Sequence, residues 1–173
     1  DYKRLRVPDL LLIQPKIFSD ERGFFIEKYK QSDFSELGIP LFKQDNYSFS
    51  KQGVIRGLHY QLQPFDQGKL ISVVKGKILD VAGDIRKSSK FFGQWLGVEL
   101  SEENNLSFYI PPGIAHGFSV LSSEARLLYK CTVEYSAKHE LGVRFDDPDL
   151  AIDWKVSHPI IYPKDLSWPS LHE

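Results

Sequence analysis

Long apolar runs are missing from this chain: the longest, around Leu10 to Ile13, falls far short of the roughly 20 residues of a spanning helix. No membrane partner is expected. Charge of one sign is missing too, since 22 basic residues stand against 23 acidic ones in scattered order, for a net charge of -1. Binding to a phosphate backbone needs a basic stripe, so nucleic acid is not an expected partner either. Cysteine occurs once, at Cys131, which excludes an internal disulfide; in an apolar stretch it reads as a buried packing thiol rather than a nucleophile. Repeats, low-complexity stretches and linkers are absent, and the opening Asp1-Tyr2-Lys3-Arg4 lacks the apolar stretch and cleavage site of a secretory signal. The expectation is a cytoplasmic protein with a single domain over residues 1–173. With 42% apolar and 26% charged residues, it is long enough to bury about two-thirds of its unfolded surface.

Helical periodicity is scarce, limited to Gln31–Leu37, with Ser32 as N-cap, and to a weak turn after Ser101. What is there instead is a series of short runs of Val, Ile, Leu, Phe and Tyr between Gly, Pro and Asp/Asn/Ser breakers. These predict strands at Leu10–Pro15, Phe24–Tyr29, Asp45–Ser50, Val54–Gln61, Lys69–Val74, Lys77–Ile85, Phe92–Leu100, Ser107–Ile110, Gly117–Leu121, Ala125–Tyr135 and Gly142–Phe145. An all-β sandwich or barrel follows. Lys75-Gly76-Lys77 separates two of these runs, and glycine there predicts a tight hairpin. The tail from Asp146, rich in Pro, Trp and Asp, is expected to wrap the barrel.

The most informative segment is Arg56 to Gln61, RGLHYQ. A strand with one buried face has little reason to hold Arg and His near its middle unless that face lines a cavity. Arg56 and His59 are an odd number of residues apart, so a regular strand would point them to opposite faces; a bulge at Gly57 would re-aim one of them. Alone, His59 reads equally well as a satisfied buried histidine. Its neighbours add weight. Lys69 opens the next strand on the side of Ile71 and Val73, an odd place for an ammonium without a polar pocket. Tyr129 and Tyr135, an even number apart, would share a face with Cys131 and Val133. His, Lys, Arg and Tyr in one pocket supply a base, an oxyanion stabiliser, a phosphate clamp and a weak acid, which suits proton abstraction beside a carbonyl. Each alone also has a bland reading, as snorkelling Lys, surface Arg or aromatic filler.

His116 follows a turn at Pro111-Pro112-Gly113 and reads either as a ligand contact or as a loop histidine at a strand start. Asp80 and Asp84 share a strand face with Arg86 and read as structural ion pairs. A catalytic metal usually takes three His, Asp or Glu ligands, two of them from a closely spaced pair. Here the strand reads His59-Tyr60-Gln61, and His116, His139, His158 and His172 are scattered, so no metal site is expected.

Seven segments in order along the chain resemble the dTDP-4-dehydrorhamnose 3,5-epimerase family. They are Arg22 to Glu27, Gln44 to Gln61, Gln67 to Leu70, Leu79 to Trp95, Ile110 to Ser122, Tyr129 to Ser136 and Asp146 to Trp154. The chain departs from the family pattern at Gly83, at Ser89-Lys90, at Lys155 and over Ile160 to Pro163. The resemblance implies a cupin-type jelly roll and a homodimer with strands shared across the interface. It also implies cofactor-free inversion at C3 and C5 of a dTDP-linked 4-keto-6-deoxyhexose. His59 would be the base, Asp165 the carboxylate that orients it, Tyr129 the acid on the opposite face, and Lys69 the cation at the C4 oxygen. Arg22, Glu27, Asn46, Arg56 and His116 would hold the sugar and diphosphate, Tyr135 would pack near base or sugar, and Gln44, Glu140 and Lys164 would also bind substrate. Two other readings stand beside it: a single-centre 3- or 5-epimerase of another nucleotide sugar, and a non-catalytic sugar-nucleotide-binding jelly roll.

Overall fold

The computed structural model describes residues 1–7 and 9–173, and its regular elements are mostly strands. In chain order they are β1 (Tyr2–Arg4), β2 (Leu11–Ile13), β3 (Ile17–Asp20), β4 (Gly23–Ile26), α1 (Gln31–Glu36), β5 (Gln44–Lys51), β6 (Val54–Gln61), β7 (Lys69–Lys75), β8 (Lys77–Asp84), β9 (Trp95–Ser101), β10 (Ser107–Ile110), β11 (Ile114–Val120), β12 (Glu124–Cys131), β13 (Glu140–Gly142), β14 (Ile160–Ile161) and α2 (Pro163–Leu166). One sheet runs β1-β2-β10-β7-β12-β5, and the other runs β13-β6-β11-β8-β9 with β14 added beside β6. A separate hairpin pairs β3 with β4.

Alternation along each strand decides what faces what. On the first sheet, Ile71 and Val73 of β7 and Ala125 and Leu127 of β12 turn inward. They meet Ile78 and Ala82 of β8 and Ile114, Phe118 and Val120 of β11 from the second sheet, making the central core. Burying a side chain of this size contributes about 1.5–3 kcal/mol, so this layer is the main source of cohesion. The odd-numbered residues Leu79 and Val81 face outward and are covered by Leu150, Trp154 and Leu171, which is how the C-terminal tail wraps the sandwich. Asp147 fastens that tail, accepting hydrogen bonds from the backbone N–H groups of Asp149, Leu150 and Leu171. Leu11, Ile13 and Leu70 pack outward beneath Phe34 of α1.

Several local expectations need correction. Gly76 does adopt a positive φ of 81, but β7 and β8 do not pair: the turn carries the chain from one sheet to the other. A Cβ at Gly76 would lie 2.0 Å from the Glu124 carbonyl, so the crossing is too tight for any other residue. The helix starts at Gln31 after Lys30, with no side-chain cap, so Ser32 is inside it rather than capping it. β12 ends at Cys131, which removes Tyr135 from the strand face it was expected to share with Tyr129. β11 begins at Ile114, three residues before the expected start, and places His116 mid-strand rather than in a loop. Asp84 does pair with Arg86, at 2.7 Å, whereas Asp80 is bonded to His116 instead. The short strands β1, β3, β13 and β14 have too little alternation to stand out; β13 lies at 140–142 rather than the expected 142–145.

Candidate active site

β6 carries the feature on which the site depends. His116 of β11 is registered opposite His59, and Phe118 opposite Arg56, so three steps of β6 match two of β11. That bulge places both Arg56 and His59 on the inner face despite their odd spacing. Gly57 makes it possible: its φ is 107, and a Cβ there would sit 2.5 Å from the His116 carbonyl oxygen.

The first sheet supplies the facing groups. Lys69 lies on the same inner side as Ile71 and Val73, Tyr129 and Cys131 on that of Leu127, and Asn46 on that of Ser48 and Ser50. Where the two sheets part at one end, a cavity of ≈ 280 Å³ opens. His59, Lys69, Tyr129, Gln44, Asn46, Tyr135 and Glu140 line it together, with Tyr60, Gln61, Gln67 and Cys131.

Asp165 stands behind His59. Its Oδ1 lies 2.7 Å from His59 Nε2, and it also accepts from Trp168 Nε1 at 3.2 Å, while Oδ2 accepts from the Gly57 N–H at 3.2 Å. α2 holds this carboxylate at 3% exposure. Burial raises its pKa, but the hydrogen bond and charge of His59, with the other two donors, outweigh that and hold it below the ordinary carboxylate range. An ionised Asp165 keeps the proton on Nε2, which leaves the lone pair of Nδ1 to act. Trp168 closes edge-on over the imidazole, ring centroids 6.2 Å apart. It rests on Gly142, where a Cβ would come within 2.6 Å of the indole.

The Lys69 ammonium has no hydrogen-bonded or ion-paired partner among the described residues. Burial pulls its pKa down, and the charges of Cys131, Asp80 and Glu140 push it back up. Burial raises the pKa of Tyr129, so its phenol keeps its proton at neutral pH and can give it away. At the mouth, Glu140 accepts from the Tyr135 hydroxyl at 2.9 Å and is ion-paired with Lys164. Gln44 Nε2 donates to Asn46 at 2.9 Å and its Oε1 accepts from the Tyr135 N–H at 2.8 Å, so these five residues form one polar rim.

Four expected residues stand elsewhere. Arg56 is on the inner face but off the cavity, donating to Ser50 Oγ at 3.0 Å and to the Phe49 carbonyl at 3.3 Å. His116 is buried behind the cavity wall, its Nε2 2.7 Å from Asp80 Oδ1. Arg22 caps the exposed β3–β4 hairpin and pairs with Asp20 at 2.6 Å. Glu27 borders a different groove of ≈ 460 Å³ that no histidine lines. Sequence reasoning missed Tyr60, Gln61, Gln67 and Trp168. The two glutamines bracket the loop before Lys69 and carried a signal, since Gln61 lies beside the RGLHY run; Trp168 had none. Among the described residues, no group of three or more His, Cys, Asp or Glu lies together to hold a metal ion. Among the same residues, no helix is long and apolar enough to cross a membrane.

Comparison with known proteins bears on this cavity. A family model for dTDP-4-dehydrorhamnose 3,5-epimerase matches residues 4–173. The chain is 49% identical over 166 residues to a dTDP-4-dehydrorhamnose 3,5-epimerase of Shigella flexneri, spanning 95% of this chain and 92% of that one. It superposes with a TM-score of 0.96 on a dTDP-6-deoxy-D-glucose-3,5-epimerase of Legionella pneumophila solved with dTDP-4-keto-L-rhamnose. That pair is 48% identical, with 99% of this chain and 93% of the other covered. A dTDP-4-dehydrorhamnose 3-epimerase of Streptomyces niveus is 39% identical over 155 residues, 88% of this chain and 75% of its own.

Proposed function

Because the chain belongs to the dTDP-4-dehydrorhamnose 3,5-epimerase family, we propose that it inverts C3 and C5 of dTDP-4-dehydro-6-deoxy-D-glucose, giving dTDP-4-dehydro-L-rhamnose for dTDP-rhamnose synthesis. One observation carries the reading: a carboxylate-backed histidine, a lysine and a buried tyrosine border a single cavity. A proton beside a ketone is acidic only because the negative charge moves to oxygen. A cation fixed at that oxygen therefore stabilises the transition state more than the ground state.

His59 takes the C–H proton on Nδ1, and Asp165 stabilises the imidazolium that forms. The electron pair moves into an enolate whose oxygen lies against the Lys69 ammonium. Tyr129 then delivers its own proton to the carbon from the other face, breaking O–H and forming C–H. Each inversion leaves His59 protonated and Tyr129 ionised, and one proton exchanged with solvent at each resets them. No redox partner enters the balance, so none of this needs a cofactor. Gln44, Asn46, Tyr135, Glu140 and Lys164 form the rim on which the nucleotide would lie, with Arg56 and His116 supporting from the inner face.

Turnover of the 4-keto sugar nucleotide in D₂O tests the reading. Deuterium at both C3 and C5 is expected; none at either would reduce the protein to a binding module. The Streptomyces niveus relative keeps a second reading in view, a single-centre epimerase, for which deuterium would enter one position alone.

Arg22 and Glu27 lie outside the cavity of their own chain, and Phe24 and Phe25 on the same hairpin are 67% and 66% exposed. A homodimer accounts for both facts, with the β3–β4 hairpin covered by a second copy and Arg22 and Glu27 brought to that copy's substrate. Light scattering should give twice the 19.9 kDa chain mass; a monomer at micromolar concentration would remove these two residues from the site. A cytoplasmic setting suits a substrate of this class.

A further inference from the structure

Beneath the cavity lies a second carboxylate that the proposed reaction does not use. Asp80 has no exposed surface. Its Oδ1 is bonded to His116 Nε2 at 2.7 Å, and its Oδ2 has no hydrogen-bond partner among the described residues. Its direction is fixed by register. His116 is opposite His59 on one side and Ala82 on the other, and Asp80 is two residues from Ala82 on the same face of β8. Asp80 therefore points into the sandwich from the second sheet, the face shared by His59. Lys69 points in from the first sheet on the side of Ile71 and Val73.

A buried carboxylate oxygen without a donor is costly unless a cation compensates it. The inward cation of the opposing sheet is Lys69, which likewise lacks an anionic partner in contact among the described residues. We propose that Asp80 is a positioning residue of this site, a buried counter-charge that holds the Lys69 ammonium beneath the cavity while His116 fixes the carboxylate's orientation. The assignment rests on the epimerase reading for what Lys69 does, but not for whether the two charges are coupled.

The groups facing Lys69 are Cys131 of β12, Asp80 of β8 and Glu140 of β13, with His59, Tyr129 and Tyr135 around the cavity and His116 bonded to Asp80. Removing the Asp80 charge takes away one of the influences that keep the ammonium protonated against burial. Two consequences follow. The amine should lose its proton at lower pH, and the enolate should lose part of its stabilisation.

Asp80→Asn keeps an oxygen acceptor for His116 and removes the charge; Asp80→Ser does so in a smaller side chain should the amide variant not fold. The ¹³Cε resonance of Lys69, followed by NMR in lysine-labelled protein, is expected to titrate at lower pH than in the wild type. With substrate, the basic limb of kcat/KM should move the same way. kcat should fall by up to about a hundredfold with KM little changed, because the lost interaction belongs to the transition state. Asp80→Glu should restore the basic limb. A charge-free, folded variant whose Lys69 titration and basic limb both coincide with the wild type would overturn the proposal and leave Asp80 as a scaffold for His116 alone. The NMR titration needs no substrate. If the wild type fails to turn over the sugar nucleotide, the functional reading falls while the coupling is still decided.

Discussion

His59 and His116, on the adjacent strands β6 and β11, each meet an aspartate Oδ1 through Nε2 at 2.7 Å, and the two pairs differ in their surroundings. In the first, His59 is 29% exposed to the cavity, and Asp165 receives two further donors, from Gly57 and Trp168. In the second, the His116 side chain is 10% exposed, and Asp80 at 0% retains an oxygen with no donor. The first carboxylate is fully satisfied, so its histidine is free to cycle its proton without disturbing the fold. The second depends on its histidine, so that imidazole is held. The same contact thus serves proton transfer in one place and the holding of a buried charge in the other, and the difference lies in who else bonds the carboxylate.

Two substitutions would break this contrast if it is wrong. His59→Ala should have the largest effect, abolishing solvent exchange at both carbons with a loss of at least about 10² to 10⁴ in rate, the usual contribution of a positioned base. Exchange at the wild-type rate would refute it. The same variant should cost only about 1 kcal/mol of stability, since Asp165 keeps two donors. His116→Ala reverses the order. It strands a buried carboxylate and should cost about 3 kcal/mol in chemical denaturation, more than its counterpart in the cavity wall. Equal destabilisation by the two alanine variants would show that the donors on Asp165 are not what separates the pairs.

The sandwich and most of the cavity wall were legible because β5, β6, β7, β8 and β12 each run for seven or eight residues rich in strand formers between turn residues. Three-residue strands such as β1 and β13 carry too short a pattern, and the β7–β8 turn looked like a hairpin because local sequence encodes a tight turn but not which sheet receives the chain. His59, Lys69 and Tyr129 could be picked out as charged or polar side chains on faces otherwise apolar. The bulge that admits Arg56 could be foreseen as an option, since Gly57 allows it, but only the register decides it. Asp80 was expected to pair with Arg86 because alternation would put both on one face of a longer strand, whereas β8 ends at Asp84 and the partner of Asp80 arrives from a neighbouring strand. Trp168 gave no signal, since its role depends on Gly142, a position 26 residues away that leaves room for the ring.

β6 and β7 belong to opposite sheets, so the imidazole and the amine are mounted on separate layers, and beside their cavity Ile71, Val73, Ile78 and Ala82 are stacked between those layers. The core therefore acts as a spacer that sets the gap across which substrate is gripped, and its thickness is a parameter of catalysis. A methyl group shaved from that stack would let the jaws close by a fraction of an ångström, detuning the reaction while the protein itself stayed folded.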